Sequence, residues 1–184
     1  MKTQLAILGM GIMAVQAIFL APATAQVEGK FYCDQAYDLI NKVNIPVTVM
    51  SSPRRAKPIV VIAWKSQYFG DNFTPQQRCA IVSPKFQAAY SAGKLEYLKV
   101  GTDEKQSIVC AVRTEDESCN KAGMLFTLKP YGSIQSQLSA LMGNIEGGAA
   151  FDNNIYQSAK RKSKKVVVDS KGTVNIGEFL NSAN

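Results

Sequence analysis

Ile59-Val60-Val61-Ile62-Ala63-Trp64, followed by Thr74-Pro75-Gln76-Gln77-Arg78-Cys79, decides how this chain folds. The first piece is an unbroken apolar run rich in β-branched residues, short enough for a strand. Its continuity predicts a central strand buried on both faces. The second piece is the start of a helix. Thr74 is an N-cap, Pro75 suits the first helical position, and Gln77 completes a Thr-x-x-Gln capping box. Beyond it Cys79, Val82, Phe86 and Tyr90 recur at helical spacing and form one apolar face. Pro84 removes an internal hydrogen bond, which predicts a kink or a restart capped by Ser83, and Gly93 ends the helix.

Toward the N-terminus, Val47-Thr48-Val49-Met50 pairs naturally with the Ile59 run across a loop carrying Arg54, Arg55 and Lys57, so the two read as a hairpin with a basic tip. Phe31-Tyr32-Cys33 reads as a first short strand. Toward the C-terminus come three more: Leu95 to Val100, then alternating Ile108, Cys110 and Val112, then alternating Met124, Phe126 and Leu128. The acidic turn Glu115-Asp116-Glu117 separates the last two. Pro130 and Gly132 break the chain, and Ser133 caps a second helix with the stripe Ile134, Leu138, Leu141, Met142 and Ile145. Gly147-Gly148 stops it. The order β-β-β-α-β-β-β-α predicts an α+β domain, an antiparallel sheet of about five or six strands with two helices on one face, stabilised by disulfides.

The N-terminus sets the compartment. Lys2, an apolar run from Leu5 to Leu20 and Ala21-Pro22-Ala23-Thr24-Ala25 have the layout of a signal peptide, which predicts cleavage after Ala25 and a mature chain from Gln26. The alternative is an uncleaved anchor, for which the run is short and weakly flanked. The expected organisation is a signal peptide over residues 1–25, an α+β domain over 26–148, and a separable basic tail over 149–184 carrying a small hairpin. The expected location is outside the cytoplasm. Cys33, Cys79, Cys110 and Cys119 all follow the cleavage site, and an even number in an exported chain reads as two disulfides. Cys110 and Cys119 flank the acidic turn closely enough to be bridged, which would leave Cys33 with Cys79. Four cysteines permit three pairings, and sequence alone does not choose.

The chain has no histidine. That removes His-based acid–base catalysis, Ser-His and Cys-His nucleophile pairs, and the usual zinc and copper sites. No catalytic residue, cofactor or metal is expected. Two Ser-x-x-Lys matches, from Ser91 and Ser118, fall at a helix end and in a turn, and lack the companion motifs of serine acyl enzymes. Asp169 to Leu180 resembles the second half of a calcium loop, with Gly172 as the turn glycine and Glu178 as the closing ligand. Val167 and Lys171 occupy positions that need oxygen donors, so a hairpin with a glycine turn is the simpler reading. Asp103, Glu104, Glu115, Asp116 and Glu117 could supply a carboxylate-based hydrolase, yet they read as solvated turn residues.

Loss of Lys2 on cleavage leaves a formal charge of +6. Five of the cations crowd into Lys160, Arg161, Lys162, Lys164 and Lys165, a candidate site for an anionic membrane surface or an acidic envelope partner. Nucleic acid is not expected outside the cytoplasm, and a solvated tail is the plain alternative.

Trp64-Lys65-Ser66, Thr74 to Cys79, Ser83, Phe86 and Gly93, then Leu95-x-Tyr97-Leu98, Ile108-Val109-Cys110 and Leu125-Phe126-Thr127-Leu128-Lys129-Pro130 resemble, in that order, the cyanobacterial circadian oscillating polypeptide domain family. The resemblance runs from Phe31 to Ile145. It departs where family members often carry an Asn-Gly turn, since Asp103-Glu104-Lys105 stands here, and the chain after Gly148 lies outside it. The resemblance implies an exported, membrane-associated protein of the periplasm or thylakoid lumen whose level follows the day–night cycle, and it implies no reaction. On this reading the molecule is a non-enzymatic binding domain; the alternative is a His-free envelope hydrolase. Among the motif residues Arg78 stands apart, because a cation in a first helical turn opposes the helix dipole unless a carboxylate or a bound anion compensates, or water solvates it.

Overall fold

The computed structural model describes residues 29–38, 41–53, 56–142 and 167–182. The segment expected to be a signal peptide, the basic tip residues Arg54 and Arg55, Ile145, Gly147-Gly148 and the cations from Lys160 to Lys165 lie outside the described residues. The fold is α+β, with antiparallel strands divided between two sheets. One sheet has the order β1-β2-β3, from Lys30–Asp38, Val43–Ser51 and Ile59–Ala63. The other has the order β6-β5-β4-β7, where β4 is Tyr97–Asp103, β5 Gln106–Val112, β6 Met124–Thr127 and β7 Val174–Asn175. The helices are α1 (Pro75–Ser91), α2 (Ile134–Met142) and α3 (Ile176–Ser182).

The hairpin of β2 and β3 forms as the apolar runs predict, Val47 facing Ala63 and Met50 facing Ile59. β3 is almost wholly buried. It is nevertheless the end strand of its sheet, and β2 takes the centre because β1 pairs with β2 along its whole length, from Lys30 opposite Ser51 to Asp38 opposite Val43. The continuous apolar character of β3 therefore reflects burial between layers rather than a central place.

Helix α1 starts with the full capping box: the Thr74 hydroxyl accepts from the Gln77 N–H at 3.2 Å, and the Gln77 carboxamide accepts from the Thr74 N–H at 2.8 Å. It runs unbroken through Pro84, with no restart. The Pro84 ring is exposed, and Ser83 is buried with its hydroxyl 2.9 Å from that of Thr48. Ser83 is thus a tertiary contact of the helix rather than a cap. The helix closes with Gly93 at positive φ; its N–H bonds to the Tyr90 carbonyl and that of Lys94 to the Ala89 carbonyl, a paired closure that satisfies the last carbonyls. Cys79, Val82 and Phe86 are buried, and Phe31 stacks on Phe86 at 5.8 Å between ring centres.

The core joins both sheets. Phe31, Val61, Trp64 and Phe86 from the first half pack in one cluster with Leu98, Phe126 and Leu138 from the second. Smaller clusters lie around Val47 and Val49 of β2 and around Ile108, Cys110 and Val112 of β5. Inside the main layer, the Trp64 indole N–H donates to the Thr48 hydroxyl at 3.0 Å, and Thr48 continues to Ser83. This buried chain satisfies the one polar atom the tryptophan brings inside.

The chain from residue 167 onward is part of the domain, against the expected boundary at Gly148. β7 pairs with β4, Leu98 opposite Val174, and extends the second sheet. Val174, Ile176, Phe179 and Leu180 are all buried in the main core. The turn before β7 is the glycine hairpin: Gly172 has φ +75°, Val168 bridges Val174, and the Asp169 carboxylate accepts from the N–H groups of Lys171 and Thr173. A side chain at Gly172 would meet Ile134 Cγ2 at 2.8 Å and Val100 Cγ2 at 3.2 Å, so only glycine lets this turn lie against α2 and β4. The segment is short and polar in places, which is why its apolar residues read as a tail; four of them bury because β4 would otherwise be an open edge.

The cystines join Cys33 to Cys79 and Cys110 to Cys119, with Cα separations of 5.4 and 5.3 Å. The first ties β1 to α1. The second closes the loop after β5 onto that strand.

Candidate functional site

β3 and β6 are end strands of different sheets and do not pair with each other. A cleft of about 510 Å³ opens at this seam, within the size range of small-molecule sites. Trp64 and Phe126 form its floor, edge to face with 5.5 Å between ring centres. Leu128 and Leu141 continue the apolar wall, and Ser136, Gln137 and Ala140 of α2 form the opposite side. Gln137 fixes the approach to α2: its carboxamide accepts from the Lys129 N–H at 2.8 Å and donates to the carbonyls of Lys129 and Tyr131.

The charged groups of the cleft are all cations: Lys65, Arg78 and Lys129. Lys65 is neutralised by Asp38, 2.8 Å away, whose side chain is fully buried and also accepts from Asn41. Nothing in the sequence marked this pair, since Asp38 and Lys65 are 27 positions apart and β1 and β3 are brought together only through β2. Lys129 lies over the rings of Tyr68 and Tyr131, at 5.9 and 5.7 Å from their centres. Those two rings meet edge to face and stand 44% and 57% exposed at the surface.

Arg78 is the central group. Its guanidinium carbon lies 5.2 Å from the Trp64 ring centre and 5.0 Å from that of Phe69, distances at which the ring faces attract a cation. Nη2 donates to the Ser66 carbonyl, while Nε is buried with no hydrogen-bond partner among the described residues. No described carboxylate stands within ion-pair distance of it. Burial pulls its pKa below the ordinary arginine value, because desolvation disfavours the charged form; the group remains a cation at neutral pH. The aromatic faces, which the sequence did not point to, supply part of the compensation; no described carboxylate supplies any, and half-burial rules out simple solvation.

The remaining candidates scatter. Asp103 ends β4, and Glu104 sits in the β4–β5 turn with Lys105, both at positive φ. Glu115, Asp116 and Glu117 occupy the loop after β5, where the Lys99 ammonium donates to the carbonyls of Glu115 and Glu117. The Thr114 hydroxyl holds the Asp116 carboxyl below its ordinary range, with help from its own backbone N–H. Ser91 accepts from Gln87 at the end of α1, and Glu178 lies in the first turn of α3. The five cations of the candidate anionic-surface site, Lys160, Arg161, Lys162, Lys164 and Lys165, lie outside the described residues. Among the described residues no group of three or more Cys, Asp or Glu could hold a metal ion, and no helix is long and apolar enough to cross a membrane.

These features define a class: a two-sheet α+β domain stapled by two disulfides, suited to an oxidising compartment outside the cytoplasm, with a cation-lined apolar cleft at the seam of its sheets. The chain belongs to the circadian oscillating protein COP23 family, whose model matches residues 30–181. The match continues beyond Gly148, where the recognisable motifs end, in keeping with the docking of β7 and α3. Neither the curated proteins nor the solved structures contain a match to the chain.

Proposed function

We propose that this protein is a non-enzymatic binding domain that works outside the cytoplasm, in the periplasm or thylakoid lumen, and holds to an anionic membrane surface or an acidic envelope partner. Its abundance follows the day–night cycle, as membership of its family suggests. The observation that carries the reading is the chemistry of the cleft. Its charged lining consists of Lys65, Arg78 and Lys129, whereas the carboxylates a His-free hydrolase would need stand on the β4–β5 turn and the loop after β5. A concave surface of that kind favours anions, and among the described residues its lining offers no pair of carboxylates to act as acid and base.

The cations from Lys160 to Lys165 support the same reading, since five of them fall within six positions of the sequence. Each cation near an anionic leaflet contributes about 1 kcal/mol, so five suffice for reversible attachment. The test is co-sedimentation of the mature protein with vesicles containing anionic lipid. Replacing Lys160, Arg161, Lys162, Lys164 and Lys165 with Gln should release it. Raising salt to about 1 M, where screening shortens from about 8 to about 3 Å, should do the same. Recovery unchanged by both treatments would overturn the attachment.

A further inference from the structure

We propose that the cleft at the β3–β6 seam binds a single-chain carboxylate amphiphile, with the carboxylate on Arg78 and the alkyl chain along Trp64, Phe126, Leu128 and Leu141. The inference rests on the binding reading above and names the ligand class of its cleft. Three observations lead to it. First, the charge of the site is uneven: Lys65 is matched by Asp38, while Arg78 has no carboxylate among the described residues and keeps donor capacity beyond its single bond to the Ser66 carbonyl. A half-buried guanidinium clamped between two rings is held in place before any ligand arrives, so little side-chain freedom is lost on binding. Second, the lining beside that cation is mainly apolar, which an inorganic anion would leave wet and an alkyl chain would cover. Third, Tyr68, Tyr131 and Lys129 form an exposed aromatic and cationic group beside the cleft. Tyrosine and lysine together suit the boundary between water and lipid, from which such an amphiphile would be drawn.

Arg78 was singled out in the sequence only as a cation opposing a helix dipole. The partner that offsets the dipole on this proposal is the ligand's own carboxylate. A planar fork suits a carboxylate better than an ammonium would.

Decanoate, acetate and decyltrimethylammonium at concentrations below micelle formation separate the contributions of head and chain. Binding is read by titration calorimetry and by emission of Trp64, the one tryptophan of the chain, which lies in the cleft floor. Decanoate should bind saturably with one equivalent per chain and change the Trp64 emission; acetate and the cationic amphiphile should bind at least tenfold more weakly. Arg78→Gln should weaken decanoate at least tenfold, and Arg78→Lys should recover only part of the loss. Ala140→Phe, on the exposed side of α2, should block the cleft with the melting temperature unchanged, and it keeps the test valid if Arg78→Gln fails to fold. Equal binding of decanoate and the cationic amphiphile, absence of saturable decanoate binding, or full decanoate affinity in Ala140→Phe would each overturn the proposal. Vesicle attachment measured in parallel separates the two ideas: attachment retained without decanoate binding overturns the ligand assignment alone.

Discussion

Phe179→Ala tests whether the C-terminal segment belongs to the core. Phe179 is 5% exposed and packs in the same cluster as Leu98 and Leu138. Truncating a buried phenylalanine forfeits its transfer free energy and leaves a cavity, about 3–5 kcal/mol together. Against a total stability of about 5–15 kcal/mol, that is roughly a fifth or more for a typical domain. For a chain of this length it corresponds to a fall in Tm of roughly 6–20 °C. Guanidinium unfolding followed by Trp64 emission gives the value, because the reporter lies in that cluster. Ile176→Val, at a fully buried position, should lose only about 0.5–1.5 kcal/mol and provides a graded check. A chain ending at Gly148 lacks Val174, Ile176, Phe179 and Leu180 together and should show no cooperative transition. If Phe179→Ala lies within about 0.5 kcal/mol of the wild type, as an exposed tail residue would, or the shortened chain melts normally, the docking of β7 and α3 is wrong.

The cystines should differ in weight: loop-closure entropy gives about 4 kcal/mol for Cys33–Cys79, which closes 46 residues, and about 2.6 kcal/mol for Cys110–Cys119, which closes 9. Paired Cys→Ala variants in denaturant unfolding check the order, and quantitative thiol labelling of the native protein should find no reactive cysteine. Thr48→Val leaves the Trp64 indole N–H buried without an acceptor and should cost about 1–3 kcal/mol; in a Trp64→Phe background, followed by circular dichroism, the same change should cost less. Glu104 and Lys105 hold the β4–β5 turn at φ +45° and +68°, a two-residue geometry that favours Asn-Gly. Replacing the pair with Asn-Gly should raise stability by about 1 kcal/mol, and an unchanged or lowered denaturation midpoint would argue against the strained turn.

Local signals written in neighbouring residues were legible without coordinates. The Thr74–Gln77 box, the apolar face of α1, the glycine stop at Gly93 and the β-branched runs each encode an element within a few positions, where sterics and short-range hydrogen bonding decide. The α+β class follows from their order. The sequence marks only Val47–Met50 of the strand at Val43–Ser51, because Asn44 and Pro46 are poor strand formers; pairing with β1 and the bond from the Trp64 backbone N–H to the Pro46 carbonyl override that preference. Pro84 likewise forecast a kink or a restart; the helix does not restart, and Cys79 and Phe86 on either side of the proline are both buried.

What the chain could not state by itself is which distant pieces share a surface. Arg78 could be flagged as a cation needing compensation, but its place between Trp64 and Phe69 depends on how α1 meets the end of β3. The Asp38–Lys65 pair, the division of the strands into two sheets and the cleft at their seam depend likewise on contacts between residues far apart in sequence. The C-terminal segment shows the difference most plainly. Its glycine turn was readable, being local; its burial was not, because Val174, Ile176, Phe179 and Leu180 bury only where β4 offers an unpaired edge and α2 an apolar side, and neither is written in the segment. Local propensity proposes elements, and the removal of apolar surface from water, available only once the elements meet, decides which of them belong to the core.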